Sequence, residues 1–391
     1  MSAAAEPQRG RIGWLDGVRG GAALFVVLHH MWLATWSSYP ENAGPWWIGW
    51  LLYGHLAVAV FIVVSGYSLA LAPLRHGGRL RGGVRTFIQR RAWRILPAYW
   101  AALTFSTAIF LLILAPDTSA TTAVKSFVVH TLLLQDLVGN VAPNGTFWSI
   151  AVEWQIYFVF PLILLVALRT RMVVAVALTL VAVVAAHLLA GSVSVLSKID
   201  HVSPQFLALF GFGVLAAWSA HHGVPRWVAR LLAPGTALVF ATFVTLAIVQ
   251  GSPWMTNHWF GVDLLFGTGV AGALLVTART QHAWRERTLG SGPAIALGTF
   301  SYSLYLMHAP ILESLQKLLL RPLELSPGLN FAVLLTLVLP VILAACYAFH
   351  RVFEGPFLER RDLASLKTLP LWTWLHRHRG APVAQVREEP A

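Results

Sequence analysis

Arg19 and His30 stand eleven residues apart in one apolar run. That separation advances an α-helix by about 16 Å and turns it through about 1100°, about 20° from full register. The two side chains therefore share a helix face, and His29 points away from it. One reading of this face is chemical: a cation to hold an anionic group, and an imidazole further along that takes a proton from a hydroxyl or transiently carries an acyl group. The other is structural: an anchoring arginine, and a histidine hydrogen-bonded to a neighbouring helix. The stretch Thr146 to Tyr157 opens a second apolar run and contains Glu153. By helical rise Glu153 lies about 7 Å below Trp148, and His30 about 9 Å below Trp36. At similar depth, the carboxylate would orient the imidazole and stabilise its charge, the pairing a general base needs. An interhelical ion pair is the alternative, but ionisable groups inside apolar spans are costly, which favours a functional glutamate.

Arg90, Arg91 and Arg94 end a basic loop. Arg91 and Arg94, three apart, are neighbours on a helix face, and arginine forks suit phosphate and diphosphate groups. A topology signal would explain the same residues. The run Gly298 to His308 is rich in hydroxyls, and His308 falls near the middle of its span. His308, Tyr157, Ser65, Ser301 and Tyr305 form a second tier of polar groups, for which helix–helix packing is the competing explanation. Gly66 beside Ser65 suits close helix approach. Glu354, at the inner end of the last span, is expected to pair with an inner-side arginine.

These residues need an apolar scaffold, and the composition supplies one. Of 391 residues, 57% are hydrophobic and 11% charged, where a soluble domain carries roughly a quarter charged residues. Long unalternating apolar runs predict an all-α, polytopic membrane protein and exclude a transmembrane β-barrel. About ten spans are predicted, at 18–36, 48–72, 95–115, 147–168, 172–190, 204–220, 234–250, 259–278, 295–319 and 329–352. With both termini inside, 24 of the 28 Lys and Arg residues fall on the inner side, leaving Lys125, Lys198, Lys317 and Arg321 outside. One missed span would invert every later loop, so this bias supports the count and a multi-pass protein of the cytoplasmic membrane. The net charge of +12 is therefore a topology signal and not a nucleic-acid footprint. Trp46, Trp47, Trp148, Trp254 and Trp259 fall near outer span ends, as interfacial anchors do. Residues 116–146 form the longest outside loop. Residues 1–358 read as one membrane domain and 359–391 as a polar cytoplasmic tail, partly disordered. The first span reads as a retained helix and not a cleaved signal peptide. A single cysteine, Cys346, excludes an intrachain disulfide and a thiolate metal cluster, and no metal site is expected.

Taken together, these segments resemble the acyltransferase-3 family of membrane acyltransferases, which includes O-antigen acetylases and macrolide acyltransferases. The resemblance rests on Leu15-Asp16-Gly17-Val18-Arg19-Gly20 leading to His30, Phe61 to Tyr67, Arg91 to Tyr99, Trp148 to Tyr157, Ser301 to His308, and Glu354-Gly355-Pro356-Phe357. It covers roughly residues 12–358, and the chain looks like a stand-alone form without the esterase-like domain some members carry. It implies an acyltransferase with acyl-CoA as cosubstrate and no bound cofactor. It implies that Arg91 and Arg94 handle acyl-CoA, and its arginine-to-histidine spacing, matched by Arg19 and His30, selects His30 over His29. With the residue reading above, Arg19 is a further contact to the donor phosphates, and His30 and Glu153 are the catalytic pair. The expected acceptor is a hydroxyl of a sugar-containing molecule: a cell-surface glycan, a lipid-linked glycan or a macrolide, with membrane lipid around the protein. A transporter or flippase of a lipid-linked sugar or small molecule is the alternative, since its binding site would also use polar groups near mid-membrane.

Overall fold

The computed structural model describes residues 12–139, 141–190, 202–280 and 283–359. The predicted tail beyond Glu359, the first eleven residues and the outer-loop Lys198 lie outside the described residues. Among those described there are helices and turns and no strand, as expected where backbone polar groups must be satisfied within each segment. In chain order come α1 (Gly13–Thr35), α2 (Leu56–Leu74), α3 (Gly83–Ile109), α4 (Ala120–Thr131) and α5 (Gln135–Val138). Then follow α6 (Trp148–Arg169), α7 (Met172–Ala190), α8 (Gln205–His222), α9 (Arg226–Asn257) and α10 (Trp259–Arg279). The last third holds α11 (Ala283–Arg287), α12 (Gly292–Thr299), α13 (Ser301–Leu315), α14 (Pro327–Val333), α15 (Leu339–Phe349) and α16 (Gly355–Glu359).

Each of the ten predicted spans coincides with a helix or a chain of short helices. Among the described residues seven helical segments are long and apolar enough to cross a membrane, or eight if the bent pair α12–α13 is one span. The protein is an all-α, multi-pass membrane protein. Helices α1 and α8 are not among the seven. Helix α1 packs on α2, α12 and α13, and α8 on α2, α7 and α10. Much of their surface meets protein and not lipid, so α1 can carry Asp16, Arg19, His29 and His30. Glycines set these inner contacts: a Cβ on Gly66 of α2 would overlap the Phe210 carbonyl of α8, and one on Gly298 of α12 would overlap the Asp16 carbonyl of α1. The close approach expected at Gly66 is thus helix packing.

Several span boundaries differ from expectation. Residues Trp46–Tyr53 form a separate 3₁₀ turn whose Trp46, Trp47 and Trp50 are exposed, so the second span begins at Leu56. Helix α3 starts at Gly83, so the arginine-rich segment is helical through Arg85, Arg91 and Arg94. The span predicted at 295–319 is broken: α12 and α13 meet at Phe300 with a bend of 68°. The Ser301 hydroxyl donates to the Gly298 carbonyl at 2.9 Å, satisfying an acceptor that the break exposes.

Proline explains the widened turns. The π-helical segments Phe110–Leu114, Gln316–Leu320, Leu334–Val338 and His350–Glu354 each end two residues before a proline: Pro116, Pro322, Pro340 and Pro356. A proline has no N–H and its ring presses on the carbonyl four residues back, which in each case is the middle of the widened turn.

Candidate active site

Helix α1 carries the first elements of the site. Arg19 Nη2 donates to Ser68 Oγ of α2 at 2.7 Å, and its Nη1 pairs with Asp16 Oδ1 at 3.2 Å. One turn of α2 away, Ser65 Oγ donates to Glu153 Oε1 of α6 at 2.9 Å. Tyr157, four residues along α6, donates its hydroxyl to the same oxygen. Arg91 and Arg94 face this group from α3, and the guanidinium of Arg91 lies 6.0 Å from the Phe87 ring centre. Together these side chains line one cavity of about 430 Å³, completed by Ser149, Ser301, Tyr302, Tyr305 and Glu354. That volume is in the range of small-molecule sites, roughly 300–1,000 Å³.

The cavity thus gathers all three arginines singled out from sequence, with Glu153, Tyr157, Ser65, Ser301 and Tyr305. It holds three carboxylates, Asp16, Glu153 and Glu354, against Arg19, Arg91 and Arg94. The site is polar, with its arginines supplied by two helices, α1 and α3.

His30 is not among the residues lining it. Its ring lies beyond Tyr305, against His308: the two imidazole centres are 4.8 Å apart, and His308 Nε2 is 3.3 Å from His30 Nδ1. Tyr305, which does line the cavity, has its ring 6.0 Å from that of His308. Ser301, Tyr305 and His308 follow one another on one face of α13, so the histidine pair sits one turn past the deep end of the cavity. The predicted pairing of Glu153 with His30 is not formed. Glu153 hydrogen-bonds Ser65 and Tyr157, whereas His30 meets the Val26 carbonyl and His308. The expected equal depth does not hold: Ser149, one turn outward of Glu153 on α6, is the residue that meets Tyr305, and His308 lies a further turn on, so the carboxylate sits nearer the arginines than the imidazole.

The backbone fixes the state of the histidine pair. His30 Nδ1 is 2.9 Å from the Val26 carbonyl, and His308 Nδ1 is 2.9 Å from that of Leu304. Carbonyl oxygens only accept, so in the neutral rings both Nδ1 atoms carry the proton. His308 Nε2 is then an acceptor that shares the His30 Nδ1 proton with Val26, and His30 Nε2 keeps its lone pair. His29 is turned away, as helical geometry predicted, with its Nδ1 2.7 Å from the Leu51 carbonyl.

Several polar groups at the site were not singled out from sequence. Asp16 and Ser68 had a local signal, each three residues from a chosen residue on the same helix face, Arg19 and Ser65. Asn144 had none. It lies in the loop before α6, donates to the Leu306 carbonyl at 2.8 Å, and accepts from Thr146 N at 3.0 Å. Tyr305 hydroxyl is 2.6 Å from Ser149 Oγ and donates to the Thr146 carbonyl. This network pins the start of α6 to α13. Glu354 accepts from Ser303 Oγ at 2.6 Å and from His350 Nδ1 at 2.9 Å, in place of the expected arginine partner. The widened turn at Pro356 carries both His350 and Glu354.

The profile of the acyltransferase-3 family, described as an acyltransferase domain, matches residues 12–351. The chain is similar to YrhL of Bacillus subtilis (strain 168), provisionally named a peptidoglycan O-acetyltransferase, with 25% identity over 327 residues, 76% of this chain and 48% of the relative. It is similar to O-acetyltransferase OatA of Staphylococcus aureus (strain NCTC 8325 / PS 47), with 26% identity over 325 residues, 76% of this chain and 50% of that one. Peptidoglycan O-acetyltransferase OatA of Listeria monocytogenes is 23% identical over 325 residues, with 76% and 49% covered. The chain spans about half the length of these curated relatives. No solved structure gives a significant match.

Proposed function

This chain belongs to the acyltransferase-3 family of membrane acyltransferases, and from that premise we propose that it moves an acetyl or other short acyl group from acyl-CoA to a hydroxyl of a cell-wall glycan. The observation that carries the reading is the convergence of Arg19, Arg91 and Arg94 on one cavity whose deep end adjoins the His30–His308 pair. Anionic phosphates of the donor bind the guanidinium forks. The pantetheine arm extends past Ser65 and Tyr305 toward the histidines. The glycan as acceptor is suggested by the names of the relatives above.

In the proposed step, His30 Nε2 takes the proton of the acceptor hydroxyl as its oxygen attacks the thioester carbonyl. The C–S bond breaks, and the thiolate of coenzyme A receives that proton back from His30. An ester and a free thiol result, with no net proton change. His308, through the proton on His30 Nδ1, orients the base and stabilises the transient imidazolium, the role that the sequence assigned to Glu153. Glu153, held by Ser65 and Tyr157, instead balances the arginines of the donor cavity. The apolar walls limit hydrolysis of the thioester.

The test is release of coenzyme A from acetyl-CoA by the purified protein in vesicles, with peptidoglycan fragments as acceptor. His30→Ala is expected to lower kcat by about 10²–10⁴, the range of general-base contributions, with the protein still folded. Arg94→Ala is expected to raise KM for acetyl-CoA with kcat at saturation largely kept. Wild-type turnover in the His30 variant rules out the mechanism. Uptake of the glycan without coenzyme A release indicates transport.

A further inference from the structure

A second cavity, of about 290 Å³, lies where α2 and α8 end, α6 ends and α7 begins. It shares no lining residue with the arginine cavity described above. Its wall is apolar, with Leu74, Leu164, Ala167, Met172 and Trp218, and His222 stands at its edge. Leu168 also lines it and remains 48% exposed, so the cavity opens at the protein surface.

Charge frames this opening. Arg75 follows Leu74, Arg169 follows Leu168 and Arg171 precedes Met172, so each stands next in sequence to a lining residue. Gly78, in the turn after α2, lies against the Leu168 side chain, which brings the Arg75 turn to the end of α6. All three arginines are exposed and have no hydrogen bond or ion pair among the described residues. Residues 70–82, 161–173 and 218–230 contain no Asp or Glu. An apolar slot between spans, edged by uncompensated arginines at one end of the bundle, matches an amphiphile with an anionic head.

We propose that this is a binding site for an anionic phospholipid, with part of one acyl chain in the Leu164–Met172–Trp218 cavity and the phosphate on Arg75, Arg169 and Arg171. A zwitterionic lipid offers the same chain, but its amine offsets the attraction of the arginines. A soluble phosphate offers the charge without the apolar contact.

The site is tested with the full-length protein reconstituted in nanodiscs of equal parts phosphatidylglycerol and phosphatidylcholine, followed by native mass spectrometry of the lipids it retains. Preferential retention of phosphatidylglycerol is expected, falling about fivefold for each of Arg75→Ala, Arg169→Ala and Arg171→Ala. Ala167→Phe keeps every charge and fills the cavity, so it is expected to abolish retention without altering insertion. Equal retention of the two lipids, an unchanged ratio in the arginine variants, displacement by free glycerol phosphate, or undiminished retention in Ala167→Phe would each overturn the assignment.

Discussion

The pairing of His30 with His308 yields a test of the catalytic proposal. His308 is fully buried, and its Nε2 accepts from His30 Nδ1 at 3.3 Å, a long bond in the neutral pair. A bond of that kind contributes about 0.5–1 kcal/mol net. Once His30 takes a proton from the acceptor hydroxyl, the same contact becomes charge-assisted and is worth about 1.5–3 kcal/mol. Only the difference, about 1–2 kcal/mol, lowers the barrier, because binding common to ground and transition states does not raise kcat. His308→Phe keeps a ring of similar volume and removes the acceptor. It is expected to lower kcat by about 5–30-fold, with KM for acetyl-CoA unchanged because His308 does not line the arginine cavity. His308→Gln, which restores an acceptor, should recover part of the loss. Coenzyme A release at saturating acetyl-CoA, with the folded fraction measured in parallel, reads both variants. An unchanged kcat, or a change confined to KM, refutes the positioning role; a loss as large as that of His30→Ala makes His308 the base.

Three more expectations follow from the geometry. Glu153→Gln removes one negative charge from among three arginines, and with about 1 kcal/mol at stake KM for acetyl-CoA should fall roughly fivefold while kcat changes little; a hundredfold loss of kcat at constant KM would return Glu153 to the histidine. Gly66→Ala drives a Cβ into the Phe210 carbonyl and should cost about 1–3 kcal/mol by overpacking, seen as a lower thermal inactivation temperature; unaltered stability would show that α2 and α8 can separate freely. In the loop helix α5, burial pushes the Asp136 carboxyl up from 3.8 to about 6, and its Oδ2 is buried without a hydrogen-bond partner among the described residues. The folded state then holds this proton more tightly than the unfolded chain does, so the group costs stability as pH rises from about 4 to about 6, and the cost is complete above that. Discounted for partial exposure, Asp136→Asn should stabilise by about 1 kcal/mol at pH 7.5 and by almost nothing at pH 4; equal gains at both pH values would show that the charge is not the cause.

Residue types and spacing alone determined that this is a helical, multi-pass membrane protein, that Arg19 and His30 share a face with His29 turned away, and that Arg91 and Arg94 form a pair. Those are local properties: apolar length and helical periodicity reach only a turn or a span along the chain, and they survive any rearrangement of neighbours. The location of the breaks was less legible, because Phe300 becomes a corner only where Gly298 lets α12 touch the α1 backbone. The partners of the charged groups were decided by tertiary structure. His308 meets His30 across 278 residues, and Ser65 meets Glu153 across 88. Helical rise gives a group's distance along its own helix, but its level relative to another helix depends on how the two are shifted, and its azimuth on how each is rotated against its neighbours. For that reason neither the level of Glu153 relative to His30 nor its partner was legible in the sequence: in the packed bundle its carboxylate meets Ser65 and Tyr157 beside the arginines and not the imidazole.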